Sequence, residues 1–427
     1  MRFFLLVLLL CNLIFGYSVE KFDSKIVILQ KEKKVQNTLI LNTKEDVKKL
    51  HFSYPISEDF EILPILFSVK DKFYKVYLKN NRVFFSIFDV KKDEKLEIKI
   101  QYKTLNNQQF LQVQHIYIPK LTGSFDAKIQ VEIPKDWEVI SKNALFQQKK
   151  DMFVWEGRVK NGFSDYFWLS IKEASWDISI TNYVYSAGKI DNLNVFIPKY
   201  FKDSDIKIKK LTFDIDGKKA QVLQKQNNTS FIFRNARAQD FIIQMNAQIA
   251  NTLDNQFYKK INPKDFLPKE ENIKLKNLAK NILQKYPDKP AYIAMAQWVS
   301  NTMKYNEKFV SKHMSSEQIL SVKNGVCEHY AQLYNDLMQS LGIPSVFVTG
   351  VGFNPKKRDF EYHAWNLVFV DNEWKPIDTT WGLFGGKLPI SHIFFYIGYQ
   401  PLVMYETYDI PIAKTHTEVK QKIRFIP

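Results

Sequence analysis

The hydrophobic pattern of this chain changes period once, and that change dictates its architecture. Between about residues 25 and 250, apolar residues alternate with polar ones. Leu96, Ile98, Ile100 and Tyr102 interleave with Glu97, Lys99 and Gln101, and Ile129, Val131 and Ile133 with Gln130 and Glu132. Ile206 and Ile208, then Leu211, Phe213 and Ile215, extend the pattern. A period of two sends one face of each run into a core, and many short runs bounded by turn residues predict β-sandwich modules. The span suggests two modules, 19–175 and 176–254, because Ser175-Trp176 and Ser186-Ala187-Gly188 interrupt the alternation. Residues 255–272, with Pro263, Pro268 and the polar run Lys269-Glu270-Glu271-Asn272, read as a linker.

From residue 273 the period is helical. Leu275, Leu278, Ala279, Ile282 and Leu283 share one face before Pro287, and Tyr292, Ala296, Val299 and Met303 make a second stripe. Ser315 and Gln318 have capping-box spacing. A further helix starts near Cys327, carries Tyr330, Ala331, Tyr334, Met338 and Leu341, and ends at Gly342 and Pro344. Strand-like segments follow at 346–351, 364–370 and 374–377, with an apolar run at 393–397. Helices followed by strands predict an α+β domain over 273–385, with a C-terminal extension, 386–427, packed on it. The expected class is therefore α+β: N-terminal all-β sandwich modules, then a C-terminal α+β domain.

The N-terminus bears on compartment. Arg2 precedes an almost unbroken apolar run, Phe3 to Phe15, and Gly16-Tyr17-Ser18 offers small residues for cleavage after Ser18. This three-part pattern predicts a secretory signal peptide over 1–18, and the run is too short to span about 30 Å of hydrocarbon. No later stretch is long and apolar enough to cross a membrane. The expected location is periplasmic or secreted. Cleavage removes Cys11 and leaves Cys327 as the one cysteine, which rules out an internal disulfide.

Cys327 follows the turn-like Asn324-Gly325 and falls in the first turn of a helix. Free N–H groups and the positive dipole end there favour thiolate, and they offer donors to an oxyanion. His329 is only two helical residues away, about 200° round, so it points elsewhere and is a surface or packing histidine. His363 opens an apolar strand 36 residues after the cysteine, and Asp378 lies 15 residues further on. If those strands form an antiparallel hairpin through Asp371-Asn372-Glu373, the carboxylate can orient the imidazole and stabilise imidazolium beside the thiolate.

These residues sit in blocks that resemble a known family. Gly-Val-Cys-x-x-Tyr-Ala at 325–331, Leu-Gly-Ile-Pro at 341–344, His-Ala-Trp at 363–365 and Trp-Lys-Pro-Ile-Asp-Thr-Thr-Trp at 374–381 resemble the transglutaminase-like superfamily core. Gln297-Trp298-Val299 and Tyr305 are similar to the helix preceding the nucleophile in that family. The resemblance covers about 275–385. It implies a papain-like fold with Cys327 as nucleophile, His363 as base and acid, and Asp378 as orienter. It also implies thioester chemistry at an amide carbonyl, with release to water or to an amine. Animal transglutaminases carry Trp directly after the nucleophile, whereas this chain has Glu328, which weighs against protein cross-linking. Trp365, Trp381 and Glu328 are candidates for the substrate cleft.

Other features take plainer readings. A metal site built from Cys327 with His313, His329 and His392 is disfavoured, because the histidines lack helix-face spacing and no second cysteine is present. No metal and no cofactor are expected. Trp155, Trp168 and Trp176 lie among strands and read as core. The formal charge of +16, from 61 Lys and Arg against 45 Asp and Glu, is spread along strand faces. No Arg-rich, aromatic-interleaved block or nucleic-acid motif accompanies it, so nucleic acid is not an expected partner. Anionic cell-envelope components remain one, beside a peptide or protein substrate. The expected function is an exported thiol enzyme acting on amide bonds of peptides or proteins, by hydrolysis or acyl transfer. The alternative is an envelope binding or scaffolding protein whose thiol domain is inactive or secondary.

Overall fold

The structure is a computed structural model that describes residues 17–426 apart from short segments, the longest being 56–64, 106–112, 197–206, 220–229 and 407–420. Between 171 and 257 only the backbone is described. Most of the expected signal peptide, the break at 186–188 and Ile206 lie outside the described residues. The chain divides into two compact units, Met1–Leu169 and Ser170–Pro427. Among the described residues no helix is long and apolar enough to cross a membrane.

The first unit is all β. Strand Tyr17–Ile28 pairs antiparallel with Glu32–Thr43 and parallel with Phe125–Glu132 at the centre of an eight-stranded sheet. Two three-stranded sheets accompany it, one around Arg82–Val90 and one around Phe163–Ser170. The predicted alternation is realised in Lys95–Leu105, where Leu96, Ile98 and Ile100 are buried. Aromatic pairs join the layers: Phe67 meets Phe85 at 3.7 Å between centroids, and Phe153 meets Phe167 at 5.7 Å. This sheet-on-sheet packing is what period two demands of strands with one apolar face. Trp155 and Trp168 are buried in it, and the side chain of Trp176 lies outside the described residues. Charged residues on the outer face pair across strands, as in Lys25–Glu132 and Lys128–Glu156, which gives part of the basic charge a solvated, structural place.

The second unit contains a β module and the α+β region. Strands Glu173–Tyr185 and Asp240–Thr252 pair antiparallel over their full length. The end of the chain returns to this module: Gln421–Ile426 adds beside Glu173–Tyr185, and Val403–Glu406 beside Ile190–Phe196. The helices run Ile273–Lys285, Ala291–Thr302, Ser316–Val322 and Cys327–Ser340. The expected capping box is formed, with the Ser315 side chain accepting from the Gln318 N–H and the Gln318 side chain accepting from the Ser315 N–H. Leu275, Ala279, Ile282, Val299, Tyr334 and Met338 pack with Val368 and Ile377 into one core.

Four strands complete this region, in the order Glu373–Ile377, Asp359–Val370, Ser345–Asn354, Ile393–Ile397. The first two form the anticipated antiparallel hairpin, turning through Asp371 and Asn372 at φ 55° and 61°. Both positive φ angles suit a tight hairpin turn. Gly350 is needed where the sheet gains its fourth strand, because a Cβ there would lie 2.1 Å from the Ile393 carbonyl oxygen.

Candidate active site

Cys327 is the first residue of helix Cys327–Ser340 and is half-buried. The helix start is held from two sides. Asn324–Gly325 pairs in parallel with Lys304–Tyr305, and the His329 ring reaches back so that its Nδ1 accepts from the Val326 N–H at 3.1 Å. Its Nε2 therefore carries the proton and donates to the Lys312 carbonyl at 2.7 Å. His329 is buried and fully engaged in capping, so of the two sequence readings the packing role is the one observed. Gly325 makes room for it, since a Cβ there would lie 2.6 Å from the His329 Cβ.

The hairpin brings the other candidates together. His363 Nε2 donates to Asp378 Oδ2 at 2.8 Å, and Cys327 lies near enough to the His363 ring to help hold its charged form. With Nε2 committed to the carboxylate, Nδ1 is the ring atom left for sulfur. Both His363 and Asp378 are buried. Burial opposes charge on His363 most strongly. The Asp378 carboxylate and then Cys327 more than offset it, raising the imidazole to about 10. Burial alone would raise Asp378, but the imidazoles of His363 and His392 hold its carboxyl well below the usual carboxylate range. The geometry thus stores an imidazolium–carboxylate pair beside a thiol.

Asp378 itself is tightly held. Its Oδ1 accepts from the backbone N–H groups of Thr380 at 2.8 Å and Trp381 at 3.0 Å, so the Asp-Thr-Thr-Trp turn folds around the carboxylate. Its Oδ2 accepts a second imidazole, His392 Nε2, at 3.1 Å. Sequence reasoning placed His392 only in the disfavoured metal set. The available signal was a histidine directly before the apolar strand Ile393–Ile397.

The cleft candidates separate. Trp381 lies flat against His363, with centroids 3.9 Å apart and planes 11° apart. Gly352 permits this, since a Cβ there would lie 2.7 Å from the Trp381 ring. Trp365 is fully buried and packs edge-on against Phe394 and His392, which makes it core rather than cleft wall. Glu328 is partly exposed and faces exposed His313 at 3.4 Å. Tyr305, half-exposed, stands near Cys327; burial of its hydroxyl and then the nearby Cys327 raise its pKa.

His363, Asp378 and His392 offer three donor atoms within 4.8 Å of one another, a set that could hold a metal ion. Around tetrahedral zinc, ligand atoms at about 2.0–2.2 Å from the ion stand roughly 3.3 Å apart. The observed separations of 2.8 Å and 3.1 Å are hydrogen-bond lengths between donor and carboxylate. Cys327, His313, His329 and His392 do not form such a set among the described residues.

Residues 276–379 match the Transglutaminase-like superfamily. The chain carries a transglutaminase-like domain. Its helix-borne cysteine and the hairpin holding His363 and Asp378 fall within or at the edges of that span. A stretch of 110 residues, 24% of the chain, is 26% identical to an uncharacterized protein of Mycobacterium leprae and spans 39% of that protein's length. Among solved structures, a candidate cysteine protease from Cytophaga hutchinsonii aligns over 60% of this chain and 92% of its own at 13% identity, with a TM-score of 0.42. An M1 zinc metallopeptidase from Deinococcus radiodurans aligns over 42% and 45% at 8% identity, with a TM-score of 0.27. Neither likeness is close enough to extend an activity to this chain.

Proposed function

We propose that this protein is an exported thiol enzyme that cleaves amide bonds of peptides or proteins through a thioester on Cys327. The observation that carries this reading is the buried His363–Asp378 pair, hydrogen-bonded at 2.8 Å, beside a thiol at a helix N-terminus. In this reading the Cys327 sulfur attacks the amide carbonyl carbon. The C=O π pair moves onto oxygen, beside the free N–H groups of the first helical turn. When the carbonyl re-forms, the C–N bond breaks and the amine leaves with the proton from His363 Nδ1. Water then gives a proton to the same nitrogen and adds to the thioester, and the C–S bond breaks to release the acid and return the thiolate. Asp378 keeps the imidazole oriented and stabilises its charged form throughout. Hydrolysis is favoured over transfer because water needs no second binding site.

The test is to incubate the mature protein with a cell-envelope extract, quench in acid and search for an acyl adduct on Cys327 by mass spectrometry. A hydroxylamine-sensitive acyl group is the expected result. A wild-type protein that never accumulates one, together with a Cys327→Ala variant that keeps its cellular role, would sink the enzymatic reading in favour of a binding or scaffolding role.

A further inference from the structure

We infer that His392 is a positioning residue for the Cys327–His363–Asp378 site: as a neutral imidazole it donates Nε2–H to Asp378 Oδ2 and locks the carboxylate in the one orientation that serves His363. This rests on the reading of Cys327 as nucleophile and deepens it.

A buried carboxylate requires hydrogen-bond donors. Asp378 has no contact with water, so its charge persists only if its lone pairs are met by donors. Two backbone N–H groups meet Oδ1, and two imidazole Nε2–H groups meet Oδ2. A carboxylate has about four acceptor sites, and here all four are used. With His392 absent, Oδ2 would keep His363 alone, and the carboxyl would be free to take a proton on its open side. A protonated Asp378 no longer stabilises imidazolium at His363, and the thiol loses the partner that holds its proton.

The two histidines are distinguished by their surroundings. His363 faces both the carboxylate and Cys327. His392 faces the carboxylate with Nε2, while its Nδ1 has no hydrogen-bond partner and its ring lies against Trp365 at 5.2 Å and Trp381 at 5.1 Å. Burial opposes a second proton most strongly; the hydrogen bond and charge of Asp378 only partly counter it, and the charge on His363 adds to it, so His392 ionises below the ordinary imidazole range. Among the described residues, the ionisable groups acting on this cluster are its own three members, Cys327 beyond His363, and Tyr305 beyond Cys327. His392 is itself fixed from strand Ile393–Ile397, one residue away, and by its N–H on the Pro389 carbonyl. Residues after the hairpin thereby complete the site.

Two substitutions separate positioning from packing. His392→Gln places an N–H where Nε2–H stands, whereas His392→Phe keeps the ring volume and removes the donor. The readout is the rate of iodoacetamide alkylation of Cys327 in the full mature chain from pH 5 to pH 9, with the melting temperature as control. For His392→Phe the rate at pH 6 is expected to fall about tenfold or more, the equivalent of one unit of pKa, while at pH 9 it stays within about twofold. His392→Gln is expected to follow the wild-type profile. A Phe variant with the wild-type profile, or equal losses at every pH in both variants with equally lowered melting temperatures, would overturn the inference. If the wild-type thiol is itself unreactive at pH 6, the nucleophile reading fails instead. Should the Phe variant not fold, imidazole nitrogen NMR of the wild type decides the matter. A neutral Nε2–H tautomer at His392 is expected at pH 7, where His363 is charged, and a charged ring or an Nδ1–H tautomer at His392 would contradict it.

Discussion

The first unit and the transglutaminase-like region both build sheets, but they bury different things. In strand Lys95–Leu105 the core face holds Leu96, Ile98 and Ile100 while Glu97, Lys99 and Gln101 stay in contact with solvent. Where polar side chains are buried in that unit they are mostly neutral, as with Asn37 donating to the Tyr54 hydroxyl at 2.9 Å. In strand Asp359–Val370 six consecutive residues, His363 to Val368, are buried, so both faces are covered. A strand covered on both faces is normally apolar throughout. Here it carries a histidine and an asparagine. Asn366 donates to the Ala331 carbonyl at 3.0 Å and ties the strand to helix Cys327–Ser340, and His363 holds the buried carboxylate. The contrast teaches where to look: alternation marks a sheet that only has to fold, and polar residues inside a doubly buried strand mark one that has a further task.

The sharpest way to break this contrast is at the thiol. Cys327→Ala is expected to lower turnover by at least ~10³-fold, because members of a catalytic unit are lost together. Its melting temperature should stay near the wild type, as measured by calorimetry. A fall in both would make Cys327 a packing residue. Next comes Asp378→Ala, which strips the acceptor from two buried imidazoles. Removing one member of a buried charged pair costs about 3–5 kcal/mol, to be read from urea unfolding. A cost under about 1 kcal/mol would mean that the carboxylate is not ionised in the folded protein. In the first unit, Phe22→Ala should destabilise by about 3–5 kcal/mol through lost burial and cavity formation. All the site residues lie in the second unit, so the alkylation rate of Cys327 should not change. A changed rate would show that the two units are coupled.

The pH dependence of stability sharpens the comparison further. His363 binds its proton more tightly when folded, so its contribution is full below about pH 6.5 and is lost as pH rises toward about 10. Asp378 binds its proton less tightly when folded, so its contribution is present above about pH 4 and is lost in acid. His392, held neutral, acts in the opposite sense to His363 and removes stability as pH falls below about 6.5. His392→Gln should therefore relieve part of the acid-side loss in urea midpoints between pH 5 and 6.5, and an unchanged slope would contradict a neutral His392. The smallest effect is expected on the outer face of the first unit. Replacing Lys128 of the exposed Lys128–Glu156 pair should leave the urea midpoint unchanged within error.

Much of this was legible in the sequence. Period two pointed to the sheets, the Ser315–Gln318 spacing to a helix start, and the family-like blocks around Cys327, His363 and Asp378 to a candidate site. Three things were not legible. His392 comes close to Asp378 only because the strand after it adds to the far edge of the sheet, a pairing that no local pattern specifies. The burial of Trp365, next to Ala364 and two residues from His363, both also buried, depends on layers covering both faces of its strand. The return of residues 421–426 to pair with 177–182 joins segments more than 200 positions apart, and alternation says nothing of such partners.

The central claim is that His363 and Asp378 act on Cys327 as one device, and the pH profile of thiol alkylation tests it most directly. The rate constant for iodoacetamide on the wild-type mature protein should remain high down to about pH 6. In His363→Ala it should instead fall about tenfold per pH unit below about 8.5, as for a free thiol. A wild-type profile that already follows the free thiol, unchanged by His363→Ala, would contradict the account.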